Sequence, residues 1–95
     1  MKNWKGTKGN WVVKKNSSFY EVALKQGDHL PLHGIVSVFE NEHIGIDEEV
    51  AEANANLIAE APKMLEVLLS LENDNGTIPK NIWDMRNKAI ENALK

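Results

Sequence analysis

"DEEVAEANANLIAEAPKMLEVLLSLEND" spans residues 47–74 and decides the fold, because its apolar residues recur three and four positions apart. That spacing puts them on one side of an α-helix. Asp47 stands where an N-cap residue stands, and Glu48 and Glu49 follow in the first turn, where acidic groups meet the positive end of the helix dipole. We therefore predict a long helix that begins near residue 47.

The residues before this helix read as strands, and those after it as a second helix. "NWVVKKNSSFYEVALK" (10–25) is typical of a β-hairpin, and "IVSVF" (35–39) of a third strand. After a turn, "IPKNIWDMRNKAIENAL" (78–94) resumes the helical spacing behind a proline suited to a first helical turn.

These elements predict an α+β fold in which a small antiparallel sheet of about three strands precedes a two-helix hairpin. We expect a single domain over residues 1–95, with the sheet in about residues 10–46 and the hairpin in about residues 47–94.

The composition is that of an ordinary globular chain, with 95 residues of which 42% are hydrophobic and 26% charged. It contains no cysteine, which excludes disulfides, thiolate metal sites and cysteine nucleophiles. No apolar run is long enough to span a bilayer, and no apolar stretch follows the first lysines. The default expectation is a cytoplasmic protein without a membrane partner.

A chain of this length is expected to have a thin core, since it buries only about 60 to 65% of the surface that the unfolded chain exposes. Oligomerisation is a common remedy when disulfides are absent. Five apolar residues cover more than one face of the long helix, so some of them are expected to contact another subunit. They are Leu65, Val67, Leu68, Leu69 and Leu71. We expect a homo-oligomer.

One polar residue lies on the apolar side of the long helix. Six residues fall in a stripe about 100° wide when successive residues are turned by 100°. They are Val50, Leu57, Ala61, Met64, Leu65 and Leu68. Asn54 lies near the centre of this stripe and is expected to face inward, where its amide must bond either to a nearby backbone or to a ligand.

Arg86 repeats the anomaly on the last helix, where it falls within the stripe of Ile82, Ala89, Ile90 and Ala93. A buried guanidinium without a partner is not tolerated. It must extend its head to water while its stem packs, pair with an acid such as Glu60, or bind an external anion.

Pro62 interrupts the helical pattern of the long helix. It lacks the N–H that would bond to the carbonyl of Ile58, so the helix must either bend there or stop and restart. A restart would leave Ala61 as a poor N-cap, since alanine has no side-chain acceptor.

Other constellations point away from catalysis and metal binding. His29 and His33 are four apart but flank Pro31, and no third ligand accompanies them, so we expect neither a metal nor another cofactor. Serines lack a glycine-framed elbow and no carboxylate pair is fixed by the pattern, so we expect no enzyme.

Nucleic-acid binding is also disfavoured. Residues 1–26 hold six lysines against Glu21 alone, interleaved with aromatic residues as in a single-strand platform. Residues 27–95 hold thirteen acids against five bases, however, and an acidic helical half would repel a polyanion passing along the sheet.

The helical half resembles a segment found in small phage-encoded proteins. "EANANLIAEAPKMLEVLLSL" (52–71) is similar to a motif of the form E-A-N-A-R-L-I-A-x-A-P-x-L-L-E-x-L, and "IWDMRNKAIENA" (82–93) is similar to the helix that commonly follows it. The match covers about half of the chain. Asn56 stands where the motif has arginine, and Met64 where it has leucine. The resemblance implies a phage or prophage protein.

In layout the chain resembles phage Thoeris anti-defence sponges, which hold a cyclic ADP-ribose-type immune signal without cleaving it. The resemblance implies an oligomer with nucleotide pockets at subunit boundaries, and it makes Asn54 a candidate ligand contact. Arg86 from the second helix and Lys14, Lys15 and Tyr20 from the sheet are added as candidates from their position and chemistry. Because Asn56 replaces the arginine of the motif, such a pocket would have one positive charge fewer in this chain.

Two functional hypotheses follow. The first is a phage counter-defence protein that sequesters a small nucleotide signal, such as a cyclic nucleotide or a cyclic ADP-ribose isomer. The second is a non-enzymatic phage module for protein–protein interaction or oligomerisation, in which Asn54 and Arg86 are structural.

Overall fold

The computed structural model describes residues 4–28 and 32–95, and it confirms the predicted α+β class. A three-stranded antiparallel sheet precedes two α-helices. The elements are β1 (Asn10–Lys15), β2 (Tyr20–Lys25), β3 (His33–Val38), a 3-10 turn (Glu42–Ile44), α1 (Glu48–Ser70) and α2 (Lys80–Ala93). Of the histidine pair considered above, His29 lies outside the described residues, as does Pro31 between the two histidines.

The sheet is a simple meander in the order β1-β2-β3. β1 pairs with β2 from Asn10 opposite Lys25 to Lys15 opposite Tyr20, and the intervening turn closes when the Asn16 N–H donates to the Phe19 carbonyl at 2.8 Å. Because side chains alternate along a strand, this register puts Lys14 and Lys15 on opposite faces of the sheet.

α1 begins where the sequence predicts. The Asp47 side chain accepts a hydrogen bond from the Val50 N–H at 2.9 Å, and the Asp47 carbonyl accepts the first helical bond from the Ala51 N–H at 2.9 Å. These bonds satisfy N–H groups that a helix start leaves without a helical partner.

The core lies between the sheet and an alanine stripe of α1. Tyr20, Val22 and Val38 pack in one cluster with three alanines spaced four apart. These are Ala51, Ala55 and Ala59. Alanine has the smallest side chain that still favours a helix, so the helix axis can approach a small sheet closely.

The prediction that the bulky stripe of α1 faces inward is wrong. Val50 is 38% exposed, Leu57 60% and Met64 47%, and Asn54 is exposed with them. The physical reason is that the alanine stripe packs against the sheet, and this stripe is centred more than a quarter turn around the helix axis from the bulky stripe. Leu65 alone among the larger predicted residues is buried.

The chain forms two compact units. One is Lys8–Ala61, and the other joins residues 4–7 with Pro62–Lys95. The division falls inside α1, which continues through Pro62 as one helix, so the alternative of a restart at this proline is wrong. The expectation of a single domain over residues 1–95 stays a prediction.

The unit that contains α2 is held together locally by Asn73. Its amide donates to the Ile78 carbonyl at 3.2 Å, and its oxygen accepts from the Ile78 N–H at 2.9 Å. α2 starts at Lys80, after Pro79 as N-cap, and contains no buried residue. In the part of the chain that the structure describes, neither helix is long and apolar enough to cross a membrane.

Candidate functional site

A cleft of about 210 Å³ opens at the β1–β2 turn, beside the start of α1. The turn residues 15–20 form one side, and Glu40 and Glu48 complete the lining. Two candidate ligand contacts, Lys15 and Tyr20, therefore line the same cleft, because they are opposite each other in the β1–β2 register.

A hydrogen-bonded cluster joins the hairpin to the first two turns of α1. The Lys15 Nζ donates to Glu48 Oε1 at 2.6 Å. The Tyr20 hydroxyl has acceptors in Glu52 Oε2 at 3.0 Å and Glu48 Oε1 at 3.3 Å. Since a hydroxyl carries one proton, it donates to one of these two carboxylates at a time. The Lys15 ammonium also lies 5.9 Å from the centroid of the Tyr20 ring.

Three groups of the cluster have pKa values shifted away from neutral pH. The hydrogen bond from Lys15 lowers the pKa of Glu48, and the bond to Glu48 raises the pKa of Lys15. Burial raises the pKa of Tyr20, with the Glu52 carboxylate adding to the effect. At neutral pH Lys15 is charged, Glu48 is ionised and Tyr20 is protonated, so none of the three is poised to exchange a proton.

The charges of the cleft do not suit a phosphate group. Lys15 is already paired with Glu48, and Glu40 adds a second carboxylate to the lining. An incoming phosphate would have to displace Glu48 from Lys15 and then lie beside both acids. The volume is also below the roughly 300 to 1,000 Å³ of typical small-molecule sites. Hydroxyl and amide groups fit this lining better than anions.

A second depression of about 610 Å³ lies along the segment that leads into α1. It is lined by Glu40, Glu42, Gly45, Ile46 and Asp47. Although three of these residues are acidic, the described residues include no group of three or more His, Cys, Asp or Glu side chains placed to hold a metal ion.

Two other candidate contacts lie outside the cleft. Lys14 is exposed on the opposite face of the sheet, where its register partner is Glu21. Asn54 is exposed on α1, nearly two turns beyond Glu48. The residues Lys14, Lys15, Tyr20 and Asn54 all belong to the Lys8–Ala61 unit, but only Lys15 and Tyr20 are brought together.

Arg86 belongs to the other unit, where its guanidinium bonds to groups of the chain itself. Its Nε donates to the Leu68 carbonyl at 3.0 Å, and its Nη1 donates to Asn87 Oδ1 at 2.7 Å. The guanidinium carbon lies 4.4 Å from the centroid of the Trp83 ring. Leu68 lies in the last turn of α1, so Arg86 places a cation and a donor at the negative end of this helix.

Two carboxylates of the hydrogen-bonded cluster were not predicted as site residues: Glu48, which lines the cleft, and Glu52, which accepts from the Tyr20 hydroxyl. The sequence indicated only a helix-dipole role for Glu48. Their spacing of four places both carboxylates on one face of α1, above the hairpin. The four-residue turn between β1 and β2 pairs Lys15 with Tyr20. This pairing and the four-residue spacing of Glu48 and Glu52 are the two features of the sequence from which the cluster could have been predicted.

Both units leave large apolar side chains exposed on their helices. In the Lys8–Ala61 unit the exposed residues of α1 include Val50 and Leu57. In the other unit Ile82 is 49% exposed and Met85 is 67% exposed. These two residues are three apart and therefore lie on the same side of α2. Large apolar side chains exposed on one side of a helix are candidates for a protein interaction site.

The chain is similar to a known protein family. A family model described as Salmonella phage P22 protein Y8K6 matches residues 1–95. No curated protein and no solved structure matches the chain at a significant level.

Proposed function

The chain belongs to the Salmonella phage P22 protein Y8K6 family, and from that premise we propose that it acts as a non-enzymatic phage module that binds another protein. The proposed binding surface is the bulky apolar side of α1. The observation that carries the proposal is that α1 packs its alanines into the core and leaves larger apolar residues exposed on another side.

The energetics of burial support this proposal. An apolar side chain gains free energy when it leaves water, at about 25 cal/mol for each Å² buried. A helix that served only its own core would place its largest apolar residues there. In α1 Leu57 is 60% exposed while Ala51 and Ala55 are fully buried. A partner that covers Leu57 and Val50 would recover free energy that the isolated chain does not.

The cleft supports a non-enzymatic role. Lys15, Glu48 and Tyr20 bond to one another, and their pKa values move away from neutral pH. A general acid or base needs a pKa near the working pH, and a nucleophile needs an activating base within hydrogen-bond reach.

Site-specific photocrosslinking in infected cells tests the proposal. A photoreactive residue at position 57 should capture a protein, because this position lies on the exposed apolar side of α1. The same residue at position 56, which is exposed on the polar side, is the matched control. Equal labelling from the two positions, or none from position 57, would count against the proposal.

Sequestration of a nucleotide immune signal is the second candidate function, and one observation favours it. Lys15 and Tyr20, two of the five candidate ligand contacts, line one cleft. The proposal is that the chain binds a cyclic nucleotide or a cyclic ADP-ribose isomer without cleaving it and so acts against host defence. The paired state of Lys15 and the presence of Glu40 weigh against it.

A thermal-shift screen with cyclic dinucleotides, cyclic trinucleotides and cyclic ADP-ribose isomers tests this second candidate. A ligand that binds only the native state adds about 2.7 kcal/mol of stability at a hundredfold excess over its dissociation constant. The shift should disappear in Lys15→Ala. If no compound raises the melting temperature, sequestration of these signals is rejected, and recovery of a cleaved ligand would instead indicate an enzyme.

A further inference from the structure

Four residues of α1 within the Lys8–Ala61 unit form a continuous strip, which we call the outer seam. The outer seam consists of Val50, Asn54, Leu57 and Ala61. Their separations alternate between four, three and four residues, which is the spacing of the a and d positions in a coiled-coil heptad. Asn54 and Ala61 occupy a positions, and Val50 and Leu57 occupy d positions.

The outer seam is separate from the face that α1 uses in its own core. All four seam residues are exposed, whereas Ala51, Ala55 and Ala59 are buried against the sheet. The two faces are centred more than 90° apart around the helix, because each residue advances the helix by about 100°. A second helix can therefore reach the seam without disturbing the core.

The amide of Asn54 indicates what covers the seam. In contact with a wholly apolar partner, a carboxamide would lose its bonds to water and gain none in return. A carboxamide has both donors and an acceptor, so two asparagines that face each other can satisfy one another. A twofold symmetric interface can bring a residue opposite its own copy near the axis.

We propose that a second copy of this chain covers the outer seam, with the two α1 helices parallel and Asn54 bonded to Asn54 of the partner subunit. This proposal rests on the proposed interaction function and names its partner. A polar residue at one a position fixes the register and the number of helices in such a seam. Asn54 is then the residue that sets the specificity of the assembly.

The parallel direction follows from the neighbours of Asn54. In a parallel pair, Val50 and Leu57 each meet their own copy across the seam. In an antiparallel pair centred on Asn54, Val50 would have to meet Ile58, which packs against the core of its own chain. Among arrangements that place Asn54 opposite its own copy, only the parallel one therefore uses exposed residues throughout.

Sedimentation equilibrium of the full chain is the first test. We expect a dimer for the native chain and a monomer for Leu57→Glu, which places a charge in the seam. Asn56→Glu adds the same charge on the exposed polar side of α1 and should remain a dimer. Circular dichroism of each variant establishes that it is folded, and a folded monomeric native chain would overturn the proposal.

Disulfide crosslinking is the second test, and the chain suits it because it has no native cysteine. Val50→Cys should crosslink to itself under mild oxidation, and so should Leu57→Cys. A mixture of the two should give few mixed disulfides, and Asn56→Cys should remain uncrosslinked. Efficient crosslinking between positions 50 and 57, or none at either seam position, contradicts the parallel register even if the variants are folded.

The two proposals fail differently. If the native chain is a monomer but photocrosslinking from position 57 captures a different protein, the pairing of two copies is rejected and the interaction function stands. If the chain is a monomer and position 57 captures nothing, both are rejected. Crosslinks from position 57 to the same chain support both.

Discussion

Lys14 and Lys15 are adjacent in sequence, yet only one of them belongs to the candidate site. The alternation of side chains along β1 directs Lys15 to the face that carries α1, where it bonds to Glu48, and Lys14 to the other face. The sequence predicts the hairpin, but its residue pattern alone does not distinguish the two lysines. The register of the turn separates them.

The Lys15–Glu48 pair predicts a dependence of stability on pH. Because the folded-state pKa of Glu48 is lowered from 4.5, its contribution is complete above pH 4.5 and is lost as the pH falls through the lowered value. The pKa of Lys15 is raised from 10.5, so its contribution is complete below pH 10.5 and is lost as the pH rises through the raised value.

Glu48→Gln should therefore lower the melting temperature at neutral pH and flatten its decline below pH 4.5. Glu49→Gln removes the same charge one residue further along α1 and serves as the control. Melting curves across this pH range give the comparison. A decline below pH 4.5 that is equally steep in the native chain and in Glu48→Gln would assign the acid sensitivity to other groups.

Asn54 and Arg86 show the limits of a helical wheel applied to one sequence. The wheel found that Asn54 lies among apolar residues, but it could not show which of two apolar faces enters the core. For Arg86 it indicated that the guanidinium needs partners, and the structure supplies the Leu68 carbonyl, Asn87 and the Trp83 ring. Trp83 and Asn87 lie on α2 itself, but the Leu68 carbonyl comes from the end of α1, which no periodicity within α2 encodes.

At the scale of elements, local chemistry predicted most boundaries. The Asp47 cap, the β1–β2 turn and the turn before α2 each fall where short-range hydrogen bonds can form. The inward face of α1 was predicted wrongly, because hydrophobicity favours Val50 and Leu57 over the alanines. Close approach to a three-stranded sheet depends on side-chain size, and small size was not weighed.

The alanine stripe makes α1 sensitive to added volume. Ala55 is fully buried in contact with the core cluster, so Ala55→Leu should cost about 1 to 3 kcal/mol through overpacking. Ala53→Leu makes the same change at an exposed position and should alter stability by no more than about 0.5 kcal/mol. Urea unfolding measures both. Equal effects of the two substitutions would mean that the stripe does not set the approach of helix and sheet.

At the scale of the whole molecule, the division into two units was not predicted. It falls between Ala61 and Pro62, inside one helix, where sequence analysis looked instead for a break or a bend. Linkers are usually recognised by glycine, proline and polar residues between elements. A boundary within an amphipathic helix has no such compositional signal apart from the proline itself.

Pro62→Ala should stabilise the chain, because the new N–H can donate to the Ile58 carbonyl and a proline in a helix interior costs about 3 kcal/mol. The melting temperature should rise, and the amide at position 62 should exchange slowly with solvent. Hydrogen exchange followed by NMR gives both the site and its protection. An amide at position 62 that exchanges as fast as those of exposed turns would show that the hydrogen bond to the Ile58 carbonyl does not form even without the proline.

The division of the chain also bears on the order of events during synthesis. Lys8–Ala61 is a continuous stretch that contains the whole sheet and the alanine stripe that covers it, so all of it has been synthesised before α2 begins. The other unit includes α2 and must wait until this helix has been synthesised. Folding that follows the growing chain would thus expose Leu57 to neighbouring nascent chains early, and two copies made on one messenger could meet before either is released.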